Sequence, residues 1–343
     1  MRIKKGNEYK MAFRTRYGQF QDRVMLLTLP NAATYIHGYI DDCLRHFIDN
    51  FTVWYLDDIL INSTNEKSHE EHLWTVLEQL REVCLYCKAQ KCESRVSKVS
   101  VLAFVIKWDE IGMESQRITM IGEWLTPKSV RDVQVVPGFA NFYSQLIRKY
   151  TNVTFPLTVL LKSAEIADTI KHSQKSNRPS YWWDRTWDTK HAVQKLLKAC
   201  TDAPILQHCD PQKLIILRTD GSGFAKTGIV NQFNGFGILR PVNIYSRTCS
   251  AAKQDYDMYD QELQAIVKTM TKWPHYLEAA NYNILVESNH KNLQQFQTYT
   301  VPSRRQARCA EILSSNDLVI EHLEGMKNPA NGPSRWPDYK IWY

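Results

Sequence analysis

Short apolar runs separated by an acidic pair form the most informative pattern in the first part of the chain. Residues 52–54 and 59–61 are rich in β-branched and aromatic side chains, and Asp57 and Asp58 lie between them. Two such runs joined by a short polar step are typical of a β-hairpin, so we predict that both carboxylates are exposed at its tip. Oxygen ligands at a tight turn suit Mg²⁺, although an ordinary turn between two strands also fits these residues alone.

A longer amphipathic pattern follows the predicted hairpin. Apolar residues recur at helical spacing between residues 73 and 84, after the loop-like segment 62–65, and they predict an amphipathic helix. Residues 99–107 are mostly apolar and predict one strand. A hairpin, a helix and a strand in this order favour an α/β unit, in which the sheet carries the acids and helices cover its back.

The pattern changes in the middle of the chain, where Pro127, Pro137 and Pro156 interrupt helical periods. A small helical unit is therefore predicted there. The polar stretch 171–180 that follows predicts a linker.

Helical and extended patterns alternate in the C-terminal half. An apolar strand at residues 214–217 runs to Asp220, and another at residues 284–286 ends near Asn289. Glu262 lies in a predicted helix with a regular apolar face. Polar side chains at neighbouring strand ends and on a packed helix can converge, so the sequence predicts a mixed α/β (α+β) fold with a polar cluster here.

Nine short segments occur in a fixed order along the chain. They are AFRTRYG (12–18), YLDDILI (55–61), KCE (91–93), TPKSV (126–130), GFANFY (138–143), TDGS (219–222), YDQEL (259–263), HKNL (290–293) and RRQAR (304–308). In this order the chain resembles the reverse transcriptase and ribonuclease H (RNase H) region of gypsy-type long-terminal-repeat retrotransposon polyproteins. Each segment is weak alone, but their collinear order is hard to produce by chance.

The resemblance implies three domains. Residues 1–112 are expected to form a partial reverse-transcriptase palm, residues 113–175 a small helical thumb or connection, and residues 176–343 an RNase H-like mixed-sheet domain. It also implies an RNA-directed DNA polymerase and an endonuclease that cleaves the RNA strand of RNA/DNA hybrids.

The resemblance also implies the metal ligands. Asp57 and Asp58 match the polymerase pair, and Asp220 and Glu262 match two of the four nuclease acids. Both reactions use two Mg²⁺ ions, or Mn²⁺, which need several carboxylates converging on one point.

The other two nuclease acids match Asn289 and Asn331. Asparagine offers a metal a carbonyl oxygen but no charge, and one charge lost at about 4 Å is worth roughly 4 kcal/mol at an effective dielectric near 20. Even heavily discounted, that is about a thousandfold in rate or more. We therefore expect the nuclease to be inactive or marginal.

The polymerase half departs from the family pattern as well. The fingers and the strand with the third family aspartate are not in this sequence, so we expect no primer extension. The glutamine that lines the family's nucleotide pocket corresponds to Ile36, and a glycine expected near the primer-gripping hairpin corresponds to Ala103.

The distribution of charge indicates a class of binding partner. The net charge is +7, residues 1–30 carry seven basic side chains against two acids, and residues 121–180 carry eight against four. These stretches favour binding to RNA, DNA or RNA/DNA hybrid, although a solvated basic surface is the alternative. The candidate nucleic-acid contacts are Arg14, Arg16, Lys128, Arg148 and Lys149.

Composition indicates where the protein is located and in what state its cysteines are. No apolar run reaches the length of a membrane span and the N-terminus leads into no apolar signal core, so we expect a soluble intracellular protein, in cytoplasm or nucleus. Eight scattered cysteines favour reduced thiols over a zinc site.

Three interpretations remain open from sequence. The chain is an impaired polymerase and nuclease, a non-catalytic nucleic-acid-binding remnant, or an unselected fossil without a stable product. Lys226, at a position that the family keeps apolar, favours decay.

Overall fold

A computed structural model describes residues 2–26, 29–124, 130–148, 150–171, 186–249, 256–278, 280–298, 304–314, 316–324 and 328–330. The chain divides into two compact units, Met1–Ser97 and Lys98–Tyr343. Helices and strands alternate in both units, as the predicted mixed α/β class requires. The predicted linker at 171–180 lies outside the described residues, apart from Lys171, which ends a helix.

The described part of the first unit contains two antiparallel hairpins and two helices. Their bounds are β1 (Ala12–Thr15), β2 (Gly18–Gln21), α1 (Ala32–Leu44), β3 (Thr52–Tyr55), β4 (Asp58–Ile61) and α2 (Glu66–Glu82). A small core joins the helices and is formed by Ile40, Cys43, Leu44, Val76 and Leu80.

The amphipathic helix predicted from residues 73–84 is α2. It begins at Glu66 because the Asn65 side chain accepts a hydrogen bond from the Ser68 N–H at 2.8 Å and satisfies one of the first-turn donors. Beyond its end Cys84 adopts a positive φ of 57°, which turns the chain away. The apolar period located the helix, and the cap decided where it starts.

The second unit contains two sheets. The strands are β5 (Lys98–Val101), β6 (Phe104–Lys107), β7 (Glu110–Met113), β8 (Leu206–Gln207), β9 (Ile216–Gly221), β10 (Ala225–Phe233), β11 (Leu239–Thr248), β12 (Ile284–Ser288) and β13 (Leu318–His322). The four strands β5 to β8 pair in sequence order, and the second sheet has the order β11-β10-β9-β12-β13. In the second sheet β9, β10 and β11 are antiparallel, while β12 is parallel to both β9 and β13.

The prediction of one strand over residues 99–107 was wrong. Val101 pairs with Phe104, and the two residues between them, Leu102 and Ala103, have φ values of 50° and 63°. Two successive left-handed residues make the tight turn of a hairpin, where glycine or asparagine is usual. The apolar run gave no turn signal because neither residue is of that kind.

Helices surround the two sheets of this unit. Their bounds are α3 (Ser115–Gly122), α4 (Val130–Phe142), α5 (Tyr150–Lys171), α6 (Thr186–Thr201), α7 (Met258–Lys272), α8 (Pro274–Leu277) and α9 (Arg304–Ser314). The predicted helical character of the middle of the chain is confirmed, although Pro137 and Pro156 lie inside α4 and α5 rather than between helices.

Helix α7 lies very close to the five-stranded sheet. A Cβ atom on Gly221 of β9 would stand 2.3 Å from the Gln261 carbonyl oxygen, and one on Gly228 of β10 would stand 2.3 Å from the Thr269 side chain. Only glycine permits this separation. The contact at Gly221 draws the start of α7, with Glu262, toward the end of β9, with Asp220.

Candidate functional site

The acidic pair of the first unit lies at the tip of the β3–β4 hairpin, as predicted. Tyr55 pairs with Asp58, so that Leu56 and Asp57 alone form the turn. Leu56 has a φ of 56°, a conformation that costs energy for a branched side chain. All four residues are exposed, so both carboxylates face solvent on a rigid hairpin.

Ile36, which the resemblance matches to the family's pocket glutamine, lies on α1. Ile36 is half-buried there and packs against the small core of the first unit. An apolar side chain in this setting supplies packing and no hydrogen bond.

A second polar group forms at one end of the five-stranded sheet. Glu287 of β12 stands beside Arg218 of β9 in parallel register, and their side chains form an ion pair with Nε to Oε2 at 2.5 Å. Two residues further along each strand, Asn289 and Asp220 therefore share a face of the sheet. The Asn289 Nδ2 donates to Asp220 Oδ1 at 2.6 Å.

Glu262 joins this region from α7. The residue is 4% exposed, and its Oε2 accepts a hydrogen bond from the Ser288 hydroxyl at 3.2 Å. Ser288 ends β12 and directly precedes Asn289. The structure thus ties Asp220, Glu262 and Asn289 to adjacent positions of β9, α7 and β12.

Asn328 is the member that sequence reasoning missed. It is 4% exposed, and its Nδ2 donates to Asn289 Oδ1 and to the Thr219 carbonyl oxygen, each at 3.0 Å. The Asn328 Oδ1 accepts the Ala330 N–H at 2.9 Å. Its position three residues before Asn331 in one motif was the available signal; Asn331 itself lies outside the described residues.

The orientation of both amides follows from one fixed donor. Because the Ala330 N–H can only donate, the Asn328 carbonyl oxygen must face it and the Asn328 NH₂ must face Asn289. The Asn289 carbonyl oxygen then accepts, and its NH₂ is left to point at Asp220. The hydrogen bonds are therefore consistent only if each donor points the same way, from the Ala330 N–H through Asn328 and Asn289 to Asp220.

Comparison with known proteins decides what this arrangement derives from. Residues 2–106 match the profile described as reverse transcriptase (RNA-dependent DNA polymerase), and residues 185–284 match the RNase H-like domain found in reverse transcriptase. The Tf2-3 polyprotein, a transposon product of Schizosaccharomyces pombe, is 30% identical over 330 residues, which are 96% of this chain and 24% of the relative. The chain belongs to the gypsy-type retrotransposon reverse transcriptase–RNase H family.

Other relatives agree with this assignment. The Tf2-7 polyprotein of the same yeast is 29% identical over 330 residues, again 96% of this chain and 24% of the relative. The chain therefore spans about a quarter of the length of the curated relatives that it matches.

Solved structures confirm the predicted fold of this retrotransposon segment. A foamy viral protease-reverse transcriptase dRH in complex with double-stranded DNA matches with a TM-score of 0.74 at 18% identity, covering 94% of this chain and 54% of that one. The foamy viral protease-reverse transcriptase in complex with RNA/DNA hybrid matches with a TM-score of 0.70 at 18% identity, covering 98% and 44%. At this identity the likeness concerns the fold alone.

Reverse transcriptases generally use Mg²⁺, so the described residues can be tested for a fit. They contain no group of three or more His, Cys, Asp or Glu side chains placed to hold a metal ion. At the RNase H-like site the Asn289 amide directs a donor at Asp220 Oδ1, and a donor there competes with a cation for the same oxygen. At this site the described residues therefore do not fit a pair of Mg²⁺ ions.

The predicted nucleic-acid contacts of this retrotransposon segment are only partly described. Arg14 and Arg16 are exposed on the β1–β2 hairpin, where the Arg16 guanidinium lies over the Tyr17 ring, 4.5 Å from its centroid. Arg148 is exposed after α4. Lys128 and Lys149 lie outside the described residues.

Lys226 does not support decay in the way its polarity suggested. It is 5% exposed, its Nζ donates to Gln264 Oε1 on α7, and it lies 6.0 Å from the centroid of the Tyr256 ring. A buried charge with a polar partner and an aromatic face is accommodated rather than stranded.

Two further properties complete the description. All eight cysteines are free thiols, and burial raises the pKa of Cys200 to about 12 and that of Cys209, with help from Asp210, to about 11. Among the residues that the structure describes, no helix is both long and apolar enough to cross a membrane.

Proposed function

We propose that this chain is a reverse transcriptase–RNase H segment whose nuclease site is catalytically impaired while its nucleic-acid-binding surface is retained. The observation that carries the proposal is the hydrogen bond from Asn289 to Asp220, at a position where the family has an acid. The palm would comprise residues 1–112, the thumb or connection 113–175 and the RNase H-like domain 176–343.

Loss of charge is the physical basis of the impairment. Hydrolysis by two metal ions needs enough negative charge to hold both cations close together. Asp220 and Glu262 supply two carboxylates, and Asn289 supplies none. We expect the rate to be reduced by about a thousandfold or more, since each lost charge–charge interaction is worth several kcal/mol in a partly buried site.

Asp57 and Asp58 are the proposed ligands of the polymerase metal, and Ile36 is the proposed weak point of its nucleotide pocket. Ile36 packs against the core, and its hydrocarbon side chain has no group that could hydrogen-bond a nucleotide. Polymerization by this segment is therefore expected to be weak even where the metal ligands are supplied.

The proposed ligand is an RNA/DNA hybrid or a DNA duplex. Two foamy viral relatives carry such duplexes in their structures, and the exposed Arg14 and Arg16 provide positive charge beside the aromatic ring of Tyr17. Contacts of this kind act mainly on phosphates, so binding should be insensitive to sequence and should weaken steeply with salt. A non-catalytic binding role is the second candidate function that these exposed side chains favour.

Cleavage of a labelled RNA/DNA hybrid by the full chain tests the proposal. We expect no cleavage by the unmodified chain with Mg²⁺ or Mn²⁺, measurable cleavage by Asn289→Asp, and more by the variant that also carries Asn331→Asp. Asn281→Asp, an exposed site away from Asp220, is the matched control and should stay inactive. Strong cleavage by the unmodified chain that Asp220→Asn abolishes would show that the nuclease site is intact.

A further inference from the structure

We propose that the hydrogen-bond chain Asp220–Asn289–Asn328 is a metal-independent clamp, in which Asn328 positions the C-terminal segment 328–330 against the end of the sheet. The inference concerns how the site is held together rather than whether it hydrolyses RNA. It shares the Asn289–Asp220 hydrogen bond with the proposed impairment, but it is tested by unfolding and hydrogen exchange rather than by cleavage, so the failure of one can be told from the failure of the other.

The clamp joins three distant parts of the chain. Asn289 reaches Asp220 across 69 residues of sequence, Asn328 reaches Asn289 across 39, and Asn328 reaches the Thr219 carbonyl across 109. The contacts run from β9 to the end of β12 and on to segment 328–330. Ala330, at the far end, is 0% exposed and belongs to the core that includes Ile229 of β10.

Charge explains why this clamp needs no cation. The chain of bonds contains one carboxylate, from Asp220, and two neutral amides, while the neighbouring Glu262 carboxylate accepts a separate hydrogen bond from Ser288. Each amide donates toward Asp220 and accepts from the other side, so the contacts are attractive without a positive ion. Four acids converging on one point would instead repel each other until metal neutralised them.

Position 289 is consequently the residue that sets metal dependence. Asn289→Asp replaces a donor 2.6 Å from Asp220 Oδ1 with a second carboxylate oxygen. Without metal the new carboxylate repels that of Asp220, although it still offers an acceptor oxygen to the Asn328 NH₂. With Mg²⁺ a cation between them restores attraction.

Asn328 acts at the other end of the clamp. Asn328→Ala removes the donors to Asn289 and Thr219 and the acceptor for the Ala330 N–H. Because no charge changes, the loss should be the same with and without Mg²⁺. The amide of Ala330 should also lose its protection from hydrogen exchange.

The test uses the full chain without nucleic acid. Thermal unfolding is measured in EDTA and in millimolar MgCl₂, and hydrogen exchange of the peptide containing Ala330 is followed by mass spectrometry. The unmodified chain should unfold at the same temperature in both buffers. Asn289→Asp should unfold several degrees lower in EDTA and recover in MgCl₂, while Asn328→Ala should be lower in both and exchange faster at Ala330.

Control variants distinguish the effect of an added charge from the effect of a lost hydrogen bond. Asn281→Asp adds the same charge at an exposed position and should show no Mg²⁺ response. Asn289→Ala removes the donor without adding charge, should be destabilised in both buffers, and keeps the test informative if Asn289→Asp fails to fold. An unmodified chain stabilised by Mg²⁺ as much as Asn289→Asp, or an Asn328→Ala chain with unchanged exchange at Ala330, would overturn the proposal.

Discussion

The two acidic regions of this chain solve the same electrostatic problem in different ways. Asp57 and Asp58 stand exposed at the tip of a hairpin, where water screens them from each other. Asp220 and Glu262 are 2% and 4% exposed, and each accepts a hydrogen bond from a side chain at the end of β12. Because the first pair is exposed, we expect its substitution to change the free energy of unfolding little. Because the second pair is buried, its effect on stability depends on the side chains that hydrogen-bond to it.

The largest expected effect contrasts Asp220→Ala with Asp58→Ala. Removing Asp220 leaves the half-buried Asn289 amide without its carboxylate acceptor, and we expect a loss of about 1–3 kcal/mol in unfolding free energy. Asp58→Ala, at an exposed turn, should change it by no more than about 0.5 kcal/mol. Urea denaturation followed by circular dichroism measures both.

The sign of the Asp220→Ala result matters more than its size. If repulsion with Glu262 dominated the buried corner, removing one acid would stabilise the chain. Stabilisation of the Asp220→Ala variant would therefore contradict the view that hydrogen bonding outweighs the repulsion between Asp220 and Glu262.

Gly221→Ala tests how tightly the buried corner is built. The new Cβ would stand 2.3 Å from the Gln261 carbonyl oxygen, which is backbone and cannot rotate away. We expect a loss of about 2 kcal/mol or more, because α7 must move from the sheet. Gly138→Ala in α4, with nothing within 4 Å of the new atom, is the control and should stabilise by about 0.5–1 kcal/mol.

The salt dependence of nucleic-acid affinity tests the exposed arginines of the first unit. Hybrid affinity, measured by fluorescence anisotropy over a salt series, should fall steeply with salt. Replacing both Arg14 and Arg16 by Gln should reduce the slope of log affinity against log salt by about 1–2. The same change at Arg81, which pairs with Glu78 on α2, should leave the slope nearly unchanged.

The smallest expected effect concerns the β5–β6 turn. Ala103 has a φ of 63°, so Ala103→Gly should relieve backbone strain and stabilise by about 0.5–1 kcal/mol, net of the added chain entropy. Ala307→Gly, on the exposed surface of α9, should instead destabilise by about 1 kcal/mol. Equal signs for the two variants in thermal denaturation would contradict the assigned turn geometry.

Much of this architecture follows from local pattern. The alternation around Asp57 and Asp58 predicted the hairpin, and helical periodicity predicted α2 and α7, because both signals depend on residues close in sequence. The local pattern missed the β5–β6 turn because Leu102 and Ala103 are not turn-forming residues, although the resemblance had matched Ala103 to a glycine near a hairpin. The apolar strands ending at Asp220 and near Asn289 predicted that these side chains lie close together, which the structure confirms.

The details that decide the chemistry were not local. Asn328 enters the site through contacts with Thr219 and Asn289, and Lys226 is accommodated by Gln264 on a helix from elsewhere in the chain. Neither partner can be recognised from spacing, because an amide network depends on which segments the fold brings together. Substitution of an acid by asparagine predicted lost charge, but not that the amide would bond to the acid that remained.

The 109-residue separation between Thr219 and Asn328 also sets an order in time. A ribosome adds about 5–20 residues per second, so β9 exists for several seconds before Asn328 is made. During that interval the Thr219 carbonyl lacks the Asn328 donor, and Asp220 lacks its own donor only until Asn289 has been made. The Asn328 contacts form only after segment 328–330 has emerged, so this end of the sheet is completed later in synthesis than the pairing of β9 with β10 and β12.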